Sequence, residues 1–452
     1  MFKIYAKTFF SIAMSKIAIK FLKTFFKGGS NFPGKIALKI DPKVLKTVAK
    51  GYKVILITGT NGKTTTTNMI YNIIKNSGNK VITNSTGANM FPGIVSCFVD
   101  NFSFNSSEED KFAVIEVDEA NVKFITRFIS PNIITITNLF RDQLDRYGEV
   151  YTTLNKILDG VTLSPKSKLV LNGDESLLGD IGLGNDLIYY GFKTYNHSNK
   201  TIDMNADAKF CKKCKEPYKY NFVTYNHLGD YYCENCGYKR PDLKYAVDNI
   251  LEVTEEYSLV TINGDEISIN QPGTYNIYNG LCAYAVCGEL EIEKDTIARS
   301  LKNQTSSFGR QESIDIEAKE LKIILVKNPA GYDEAINTII LNKGSLDMAF
   351  LLNDNYADGR DVSWIWDVNF EKLKSLDIGS ILISGIRLYD MAIRLKTAGL
   401  DENKFSLSEN YEDILKGIKS SKNEKIYILA TYTAMIDFRK FLYSNGYIKK
   451  LW

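Results

Sequence analysis

Short apolar runs alternate with amphipathic stretches along most of the chain. Val54–Thr58, Phe112–Val117 and Ile133–Thr137 are apolar runs of strand length, and segments with helical periodicity separate most of them. Further runs of this kind are Val81–Thr83, Leu169–Leu171 and Leu187–Tyr190. Strands that alternate with helices indicate a mostly parallel sheet with helices on both faces. The pattern therefore predicts an α/β fold.

The pattern changes twice, and these changes divide the chain. Lys, Tyr and Cys crowd together over residues 203–240, and a last series of apolar runs begins near Ser313. The strands predicted in that series are Lys322–Val326, Met348–Leu352, Ser380–Ser384 and Lys425–Leu429. A chain of 452 residues has room for roughly two to four domains. We predict a helical segment at 1–45, a central parallel-sheet domain at 46–312 with an insertion at 203–240, and a smaller C-terminal Rossmann-like α/β domain at 313–452.

The first 40 residues are strongly basic, because they contain eight lysines and no acidic residue. The spacing predicts a basic amphipathic helix, with Lys16, Lys20, Lys23 and Lys27 on one side and Ile19, Leu22, Phe25 and Phe26 on the other. We favour a helix that packs on the next domain with its lysines in water. The alternative is contact with an anionic membrane surface, such as the inner face of the plasma membrane. The uncharged run Thr8–Ser15 is too short to span a bilayer, and no convincing signal-peptide cleavage site follows it.

Composition narrows the possible functions. The net charge of +3 is too balanced for a general nucleic-acid coat, so we expect no nucleic-acid partner. The cysteine count is odd and includes two closely spaced pairs, which favours a reducing, cytoplasmic compartment and a metal over a disulfide framework. His197 and His227 are the two histidines of the chain, so any histidine chemistry has two candidates.

The strongest catalytic signal is a glycine-containing loop between an apolar strand and a helix. The predicted ATP-binding residues of this loop are Gly59, Thr60, Asn61, Gly62, Lys63, Thr64 and Thr65. Its glycines let backbone N–H groups approach phosphate oxygens, and the helix N-terminus adds partial positive charge. Lys63 would reach the terminal phosphates and the Thr64 hydroxyl would bind Mg²⁺. Two residues separate Gly59 from Gly62, whereas the general phosphate-loop motif has four.

With that spacing the loop resembles the G-T-x-G-K-T loop of the Mur ligase superfamily, to which folylpolyglutamate synthetase is related. Further matches are the segments at 137–146 and 272–279, Gly309-Arg310 and Lys327-Asn328-Pro329. The resemblance implies a Mg²⁺-binding carboxylate at Glu116, an adenine site near Asn276 and Asn279, and phosphate contacts from Arg310 and Lys327. It also implies phosphorylation of a carboxylate by ATP, followed by attack of an amine on the acyl phosphate. Two positions depart from the family, which has a metal-binding histidine at Gln143 and a ribose-binding aspartate at Ile324.

Four cysteines have the spacing of a zinc ribbon. The predicted zinc ligands are Cys211, Cys214, Cys233 and Cys236. Each C-x-x-C turn places two sulfurs on one side of a knuckle, and two knuckles complete a tetrahedron. Four thiolates fill the coordination sphere, so we predict structural zinc and regard His227 as a bystander. A nucleic-acid-binding ribbon is the alternative, because lysines and tyrosines surround the quartet.

The segment Asp354-Asn355-Tyr356-Ala357-Asp358-Gly359-Arg360-Asp361 follows an apolar strand. Together with the cysteine quartet it resembles the MurT family, the synthetase subunits of lipid II isoglutaminyl synthases. The resemblance implies amidation of the D-glutamate α-carboxylate of lipid II, with ammonia from a separate GatD-like glutaminase in a heterodimer. It assigns Asp361 to the partner's Cys–His pair, with Asp358 as the alternative carboxylate. The scarcity of histidine fits a glutaminase on another chain. A ligase that adds an amino acid to a carboxylate remains the second hypothesis.

Overall fold

The computed structural model describes residues 6–25, 31–84, 88–104, 111–141, 150–195, 207–304 and 310–449. The chain begins with three helices, α1 (Ala6–Phe25), α2 (Asn31–Ile40) and α3 (Val44–Val48). Three hydroxyl side chains of α1 point inward. Thr8 Oγ1 donates to Asp41 Oδ2 at 2.6 Å, and the hydroxyls of Ser11 and Ser15 donate to backbone carbonyls at 2.8 and 3.0 Å. These bonds fix which face of α1 is buried.

The central domain is built on a sheet of nine strands. Its strands are β1 (Tyr52–Thr58), β2 (Lys80–Thr83), β3 (Lys111–Glu116), β4 (Ile133–Ile136), β5 (Lys168–Asn172), β6 (Leu187–Phe192), β9 (Tyr245–Val253), β10 (Ser258–Ile262) and β11 (Asp265–Ile269). The order across the sheet is β11-β10-β9-β6-β5-β4-β1-β3-β2. Every pairing from β9 to β2 is parallel, and β10 and β11 add an antiparallel edge. The helices of this domain are α4 (Lys63–Asn76), α5 (Phe91–Asp100), α6 (Val122–Thr126), α7 (Val150–Val161), α8 (Thr274–Glu289) and α9 (Lys294–Lys302).

Both faces of this sheet are covered, which explains why its strands are continuously apolar. Successive residues of a strand point to opposite faces. Ile55 and Ile57 belong to a buried cluster with residues of α4 and α8. Val54 and Leu56 belong to the cluster on the other face, with residues of α1, α5 and α7. The first three helices therefore complete the core of the central domain.

The insertion contains a two-stranded antiparallel sheet of β7 (Lys219–Tyr225) and β8 (Leu228–Tyr232). The C-terminal domain has six strands in the order β12-β13-β17-β14-β15-β16. They are β12 (Arg310–Ile316), β13 (Lys319–Leu325), β14 (Leu346–Leu351), β15 (Ile378–Ser384), β16 (Phe405–Leu407) and β17 (Lys425–Ala430). The longer helices of this domain are α10 (Pro329–Ile339), α11 (Leu388–Thr397), α12 (Tyr411–Ser420) and α13 (Tyr432–Ser444). Two buried clusters cover the two faces of this sheet.

The predicted α/β fold with a parallel central sheet and a smaller C-terminal sheet domain is confirmed. The apolar run Leu259–Ile269 forms the hairpin of β10 and β11, because Asn263 and Gly264 turn the chain with φ of 48° and 85°. The sequence prediction missed β7, β8, β9, β12 and β16, and the domain boundaries remain predictions. Among the described helices, none combines the length and apolarity that crossing a membrane requires.

Candidate active site and cysteine cluster

The glycine loop lies at the carboxyl end of β1, where the chain after β4 holds it in place. The backbone N–H groups of Thr60 and Asn61 donate to the backbone O and side-chain Oδ1 of Asn138, at 2.9 and 2.8 Å. Thr137 Oγ1 donates to the carbonyl of Asn61 at 2.7 Å. Since β1 and β4 are parallel neighbours, their carboxyl ends meet at one edge of the sheet. The loop is therefore fixed by residues some 77 positions away in sequence.

Two positions of the loop require glycine. Gly59 and Gly62 have φ of 117° and 82°, a region that side chains with a Cβ rarely occupy. A Cβ on Gly62 would lie 2.1 Å from Asn279 Oδ1, and one on Gly59 would lie 2.5 Å from Thr137 Oγ1. Space and backbone conformation therefore both select glycine, and the loop can approach phosphate oxygens closely.

The side chain of Lys63 contacts the loop and a carboxylate that the sequence analysis did not single out. Its Nζ donates to the carbonyl of Gly59 and lies 2.7 Å from Glu119 Oε1. Side-chain exposure is 12% for Lys63 and 6% for Glu119, so this ion pair is largely shielded from water. Glu119 lies three residues beyond Glu116, just past β3. Two further carboxylates, Asp118 and Glu119, after a strand that already ends in one were the signal available in the sequence.

Glu116 ends β3 beside the start of the loop, because its register partner on β1 is Ile57. Its backbone N–H donates to Asn84 Oδ1 at 2.9 Å, and its Oε1 accepts from Asn89 Nδ2 at 3.1 Å. Thr64, in the first turn of α4, is half-buried, and its neighbour Thr65 is buried. A carboxylate and a hydroxyl at the carboxyl edge of the sheet suit Mg²⁺, which prefers oxygen ligands. The assignment of Mg²⁺ to Thr64 and Glu116 remains a prediction.

Asn276 and Asn279 lie on α8 against the loop helix. Thr66 Oγ1 donates to Asn279 Oδ1 at 3.3 Å, and Asn279 Nδ2 donates to Asn276 Oδ1 at 3.1 Å. Asn276 Nδ2 in turn donates to the carbonyl of Pro272 at 2.8 Å. Both asparagines are buried, and Asn279 attaches α8 to the helix that follows the loop. Their proximity to adenine remains a prediction.

The C-terminal domain reaches the same loop through the residues that follow β13. Lys327 Nζ donates to the carbonyl of Thr60 at 3.2 Å, and Asn328 Nδ2 donates to Asn61 Oδ1 at 3.1 Å. Asn328 Oδ1 also caps α10 by accepting from the backbone N–H of Gly331 at 2.9 Å. The loop is therefore shared between the two domains. The predicted phosphate ligand Arg310 begins β12, and its side chain lies outside the described part of the structure, as do Gly309 and Gln143.

The four predicted zinc ligands lie together, with their sulfur atoms within 4.8 Å of one another. Sγ–Sγ distances are 3.5 Å for Cys211–Cys236 and 3.4 Å for Cys214–Cys233. Zinc with four bonds of about 2.3 Å places its sulfurs roughly 3.8 Å apart, so the arrangement fits a tetrahedral tetrathiolate site. The residues that close the two knuckles, Lys215 and Gly237, have φ of 69° and 71°. The geometry is compatible with zinc, whose presence remains a prediction.

The insertion is attached to the central domain close to the loop. Tyr238 OH donates to the carbonyl of Gly179 at 2.6 Å. His227 is buried, and its Nε2 lies 2.8 Å from Glu175 Oε2, which also accepts from the backbone N–H of Leu139 at 3.1 Å. Burial alone would lower the pKa of His227, but the Glu175 carboxylate outweighs it and the pKa is raised. His227 thus supports the segment after β4 and is not in the cysteine cluster, whereas His197 lies outside the described residues.

Replacing Cys236 with serine is expected to remove the metal and destabilise the insertion. Three thiolates hold zinc less tightly than four, and a small ribbon without its metal cannot retain its fold. We expect the zinc content, measured by plasma mass spectrometry, to fall from about one per chain to near zero, and the melting temperature to drop by roughly 5 °C or more. Cys97→Ser is the matched control, since Cys97 lies on α5 away from the cluster. Equal zinc in both variants would contradict the site.

The acidic segment after β14 holds two carboxylates in different environments. Asp358 is buried, and its Oδ1 accepts from the backbone N–H of Thr433 at 2.7 Å in the first turn of α13. Burial raises the pKa of Asp358. Asp361 is exposed, and hydrogen bonds from Ser363 lower its pKa. Of these two, Asp361 is therefore the carboxylate that another chain can contact.

Comparisons with known proteins identify the family and the fold. A family model described as Mur ligase middle domain matches residues 57–236, and one described as MurT ligase C-terminal matches residues 325–435. The chain is 40% identical, over 93% of its length and 94% of the relative's, to the lipid II isoglutaminyl synthase (glutamine-hydrolyzing) subunit MurT of Streptococcus pneumoniae. Identity to the corresponding subunit of Staphylococcus aureus is 36%, over 86% of this chain and 88% of that one.

Solved structures show the same fold at low sequence identity. A pseudomurein peptide ligase type C from Methanothermus fervidus superposes with a TM-score of 0.68 at 21% identity, covering 97% of each chain. MurF from Acinetobacter baumannii gives a TM-score of 0.64 at 14% identity, covering 91% of this chain and 80% of that one. With the glycine loop and both family models in place, these similarities show that the chain belongs to the MurT family of ATP-dependent Mur ligases.

Proposed function

We propose that this chain is the synthetase subunit of a lipid II isoglutaminyl synthase and converts the D-glutamate α-carboxylate of lipid II into an amide. One observation carries the proposal: three parts of the chain meet at the glycine loop. They are Lys63, the end of β3 and the Lys327–Asn328 segment. Such a loop binds nucleotide phosphates, and the MurT relatives are named for this synthase. A lipid-linked substrate would place the reaction at the cytoplasmic face of the plasma membrane.

The reaction has two steps, and the site is suited to neutralise the negative charge of the phosphate groups that take part in them. In the first, the substrate carboxylate attacks the γ-phosphorus of ATP, so that an acyl phosphate forms and ADP leaves. The ammonium groups of Lys63 and Lys327 and the N-terminus of α4 would stabilise the negative charge on the phosphates. Mg²⁺, held by Thr64 and Glu116, would add Lewis-acid stabilisation there. In the second, ammonia attacks the acyl carbon and inorganic phosphate leaves.

We propose further that the ammonia comes from a GatD-like glutaminase chain. A glutaminase needs a cysteine nucleophile with a histidine base, and His227 is buried against Glu175. An exposed apolar surface beside the acidic segment supports a partner of this kind. Its members, all at least half exposed, are Tyr356, Trp366, Ile386, Tyr389 and Ile393. Large exposed aromatic and aliphatic patches mark protein interfaces, and Asp361 lies on the same segment as Tyr356 and Trp366.

A coupled assay tests this function. The chain is purified with its co-expressed glutaminase and supplied with ATP, Mg²⁺ and lipid II, and ADP and the amide product are measured by mass spectrometry. We expect one ADP per amide formed when glutamine or ammonium is the nitrogen source, and no ADP with free amino acids. Turnover with an amino acid and none with glutamine or ammonium would instead favour the amino-acid-adding ligase.

A further inference from the structure

One face of α1 exposes large apolar side chains to water. Phe10, Met14, Ile17 and Phe21 are 56%, 37%, 62% and 54% exposed. They follow one another at intervals of four, three and four residues, so they form a single stripe along the helix. Phe9 and Phe104, 53% and 52% exposed, contact each other beside it, with ring centroids 5.3 Å apart and the ring planes tilted by 42°. We call these six side chains the α1 stripe.

The buried side of α1 is partly polar, since hydroxyl side chains accompany Ile12 and Ile19 there. Its inward side carries Thr8, Ser11 and Ser15, whose hydroxyls all donate to acceptors on or next to α2. Turning the apolar stripe inward would break these three buried hydrogen bonds and leave their acceptors without donors. The contacts of the helix therefore hold the apolar face outward.

We propose that the α1 stripe binds the surface of a membrane that contains anionic lipids. The charge of this segment favours an anionic membrane as the binding partner, because residues 1–40 contain eight lysines and no acidic residue. Lys7 and Lys20 are exposed and flank the stripe on the helix surface, while Lys23 pairs with Asp100 at 2.8 Å. Lysines beside an apolar helix face are typical of helices that bind anionic membrane surfaces. A second copy of this chain would bring two lysine-rich segments together, and their like charges repel.

The geometry indicates a helix that lies along the surface. From Phe10 to Phe21 the stripe is roughly 16 Å long at 1.5 Å per residue, about half of a bilayer's hydrocarbon thickness. Lys16 Nζ donates to the carbonyl of Phe102 at 2.7 Å, which attaches the helix to the central domain. The aromatic and aliphatic tips would enter the headgroup region while the folded domain stays in water. This inference goes beyond the proposed reaction and does not require it.

Vesicle co-sedimentation of the full chain tests the inference without ATP or substrate. The vesicles contain phosphatidylcholine alone or phosphatidylcholine with phosphatidylglycerol. We expect binding to the anionic vesicles that weakens as salt is raised, and at least roughly tenfold weaker binding to the neutral ones. The double variant Ile17→Glu/Phe21→Glu is expected to lose anionic binding by at least roughly tenfold, since it replaces apolar insertion with repulsion.

The matched control is Leu251→Glu, which changes an apolar residue of similar exposure, 49%, on strand β9. We expect it to bind vesicles like the unchanged chain, and circular dichroism must show equal folding of all variants. The inference is overturned if the unchanged chain does not bind anionic vesicles or if the double variant binds them as well as Leu251→Glu does. A lipid-independent dimer that the double variant abolishes would overturn it in favour of a second copy. The amidation assay is separate, so its failure leaves the vesicle result standing.

Discussion

Replacing Lys63 with alanine is expected to lower the rate of ATP-dependent amide formation by about 10³-fold or more. The ammonium lies on the glycine loop at the carbonyl of Gly59, where the terminal phosphates of a nucleotide would bind. Lys327 Nζ donates to the carbonyl of Thr60 at 3.2 Å, and Lys63 contacts the same atom at 3.3 Å, so both ammonium groups lie at this part of the loop. The measurement is ADP release at saturating ATP in the coupled amidation assay.

Glu119 complicates the interpretation of that variant and also supplies its control. Removing Lys63 leaves a largely buried carboxylate without its ion-pair partner, which costs about 3–5 kcal/mol and can unfold the region. The double variant Lys63→Ala/Glu119→Gln removes the stranded charge, so it separates lost catalysis from lost folding. Lys75→Ala, at the exposed far end of the same helix, should keep full activity. A folded double variant that retained normal turnover would refute the role of Lys63.

The glycine loop was predictable because its whole signal lies within consecutive residues. Strand, glycines, lysine and helix follow in order, and each has a local physical reason. The residues that hold the loop in place were harder to predict. The sequence shows Asn138 and Lys327, but only the pairing of β1 with β4 and the docking of the C-terminal domain bring them to the loop. The spacing of residues along the chain does not reveal contacts between distant segments, and Glu119 was missed for the same reason.

The N-terminal helix shows where a periodic pattern misleads. The sequence predicted an amphipathic helix over its lysines, with Ile19 and Leu22 on the buried side, and Ile19 is indeed buried. The structure also buries the hydroxyl face of Thr8, Ser11 and Ser15, because the acceptors come from α2 and the residues around it. In a hydropathy pattern a serine or threonine counts as polar, and its burial becomes evident only when the acceptor of its hydroxyl is known. The exposed α1 stripe could therefore not be identified from periodicity alone.

In the acidic segment, burial distinguishes between the two candidate carboxylates, Asp358 and Asp361. From the sequence, Asp361 was the assigned carboxylate and Asp358, on the same loop, was the alternative. In the structure, Asp358 binds the first turn of α13 through Thr433, which commits both of its oxygens to the fold. Asp361 keeps one oxygen on Ser363 and is exposed. The distinction depends on α13, some seventy residues later in the chain, and no local motif encodes it.

Replacing Asp361 with alanine is therefore expected to separate the two nitrogen sources. A carboxylate that orients a partner's catalytic histidine contributes about 10²-fold to 10⁴-fold to glutamine hydrolysis. Ammonia supplied directly bypasses that step, so amide formation with ammonium chloride should remain near normal. The lowered pKa of Asp361 keeps it ionised at neutral pH, as a histidine partner requires. Amide formation with glutamine and with ammonium is measured on the purified complex.

Two further variants make that result specific to Asp361. Asp390→Ala removes a carboxylate of intermediate exposure on α11 that pairs with Arg387, and it should leave both nitrogen sources unaffected. Asp358→Asn should weaken the start of α13, so we expect a lower melting temperature and similar proportional losses with glutamine and ammonium. If Asp361→Ala used glutamine normally, or if a folded Asp358→Asn lost glutamine use alone, the contact with the partner would lie elsewhere. The ratio of the two activities decides this, because a loss of folding lowers both together.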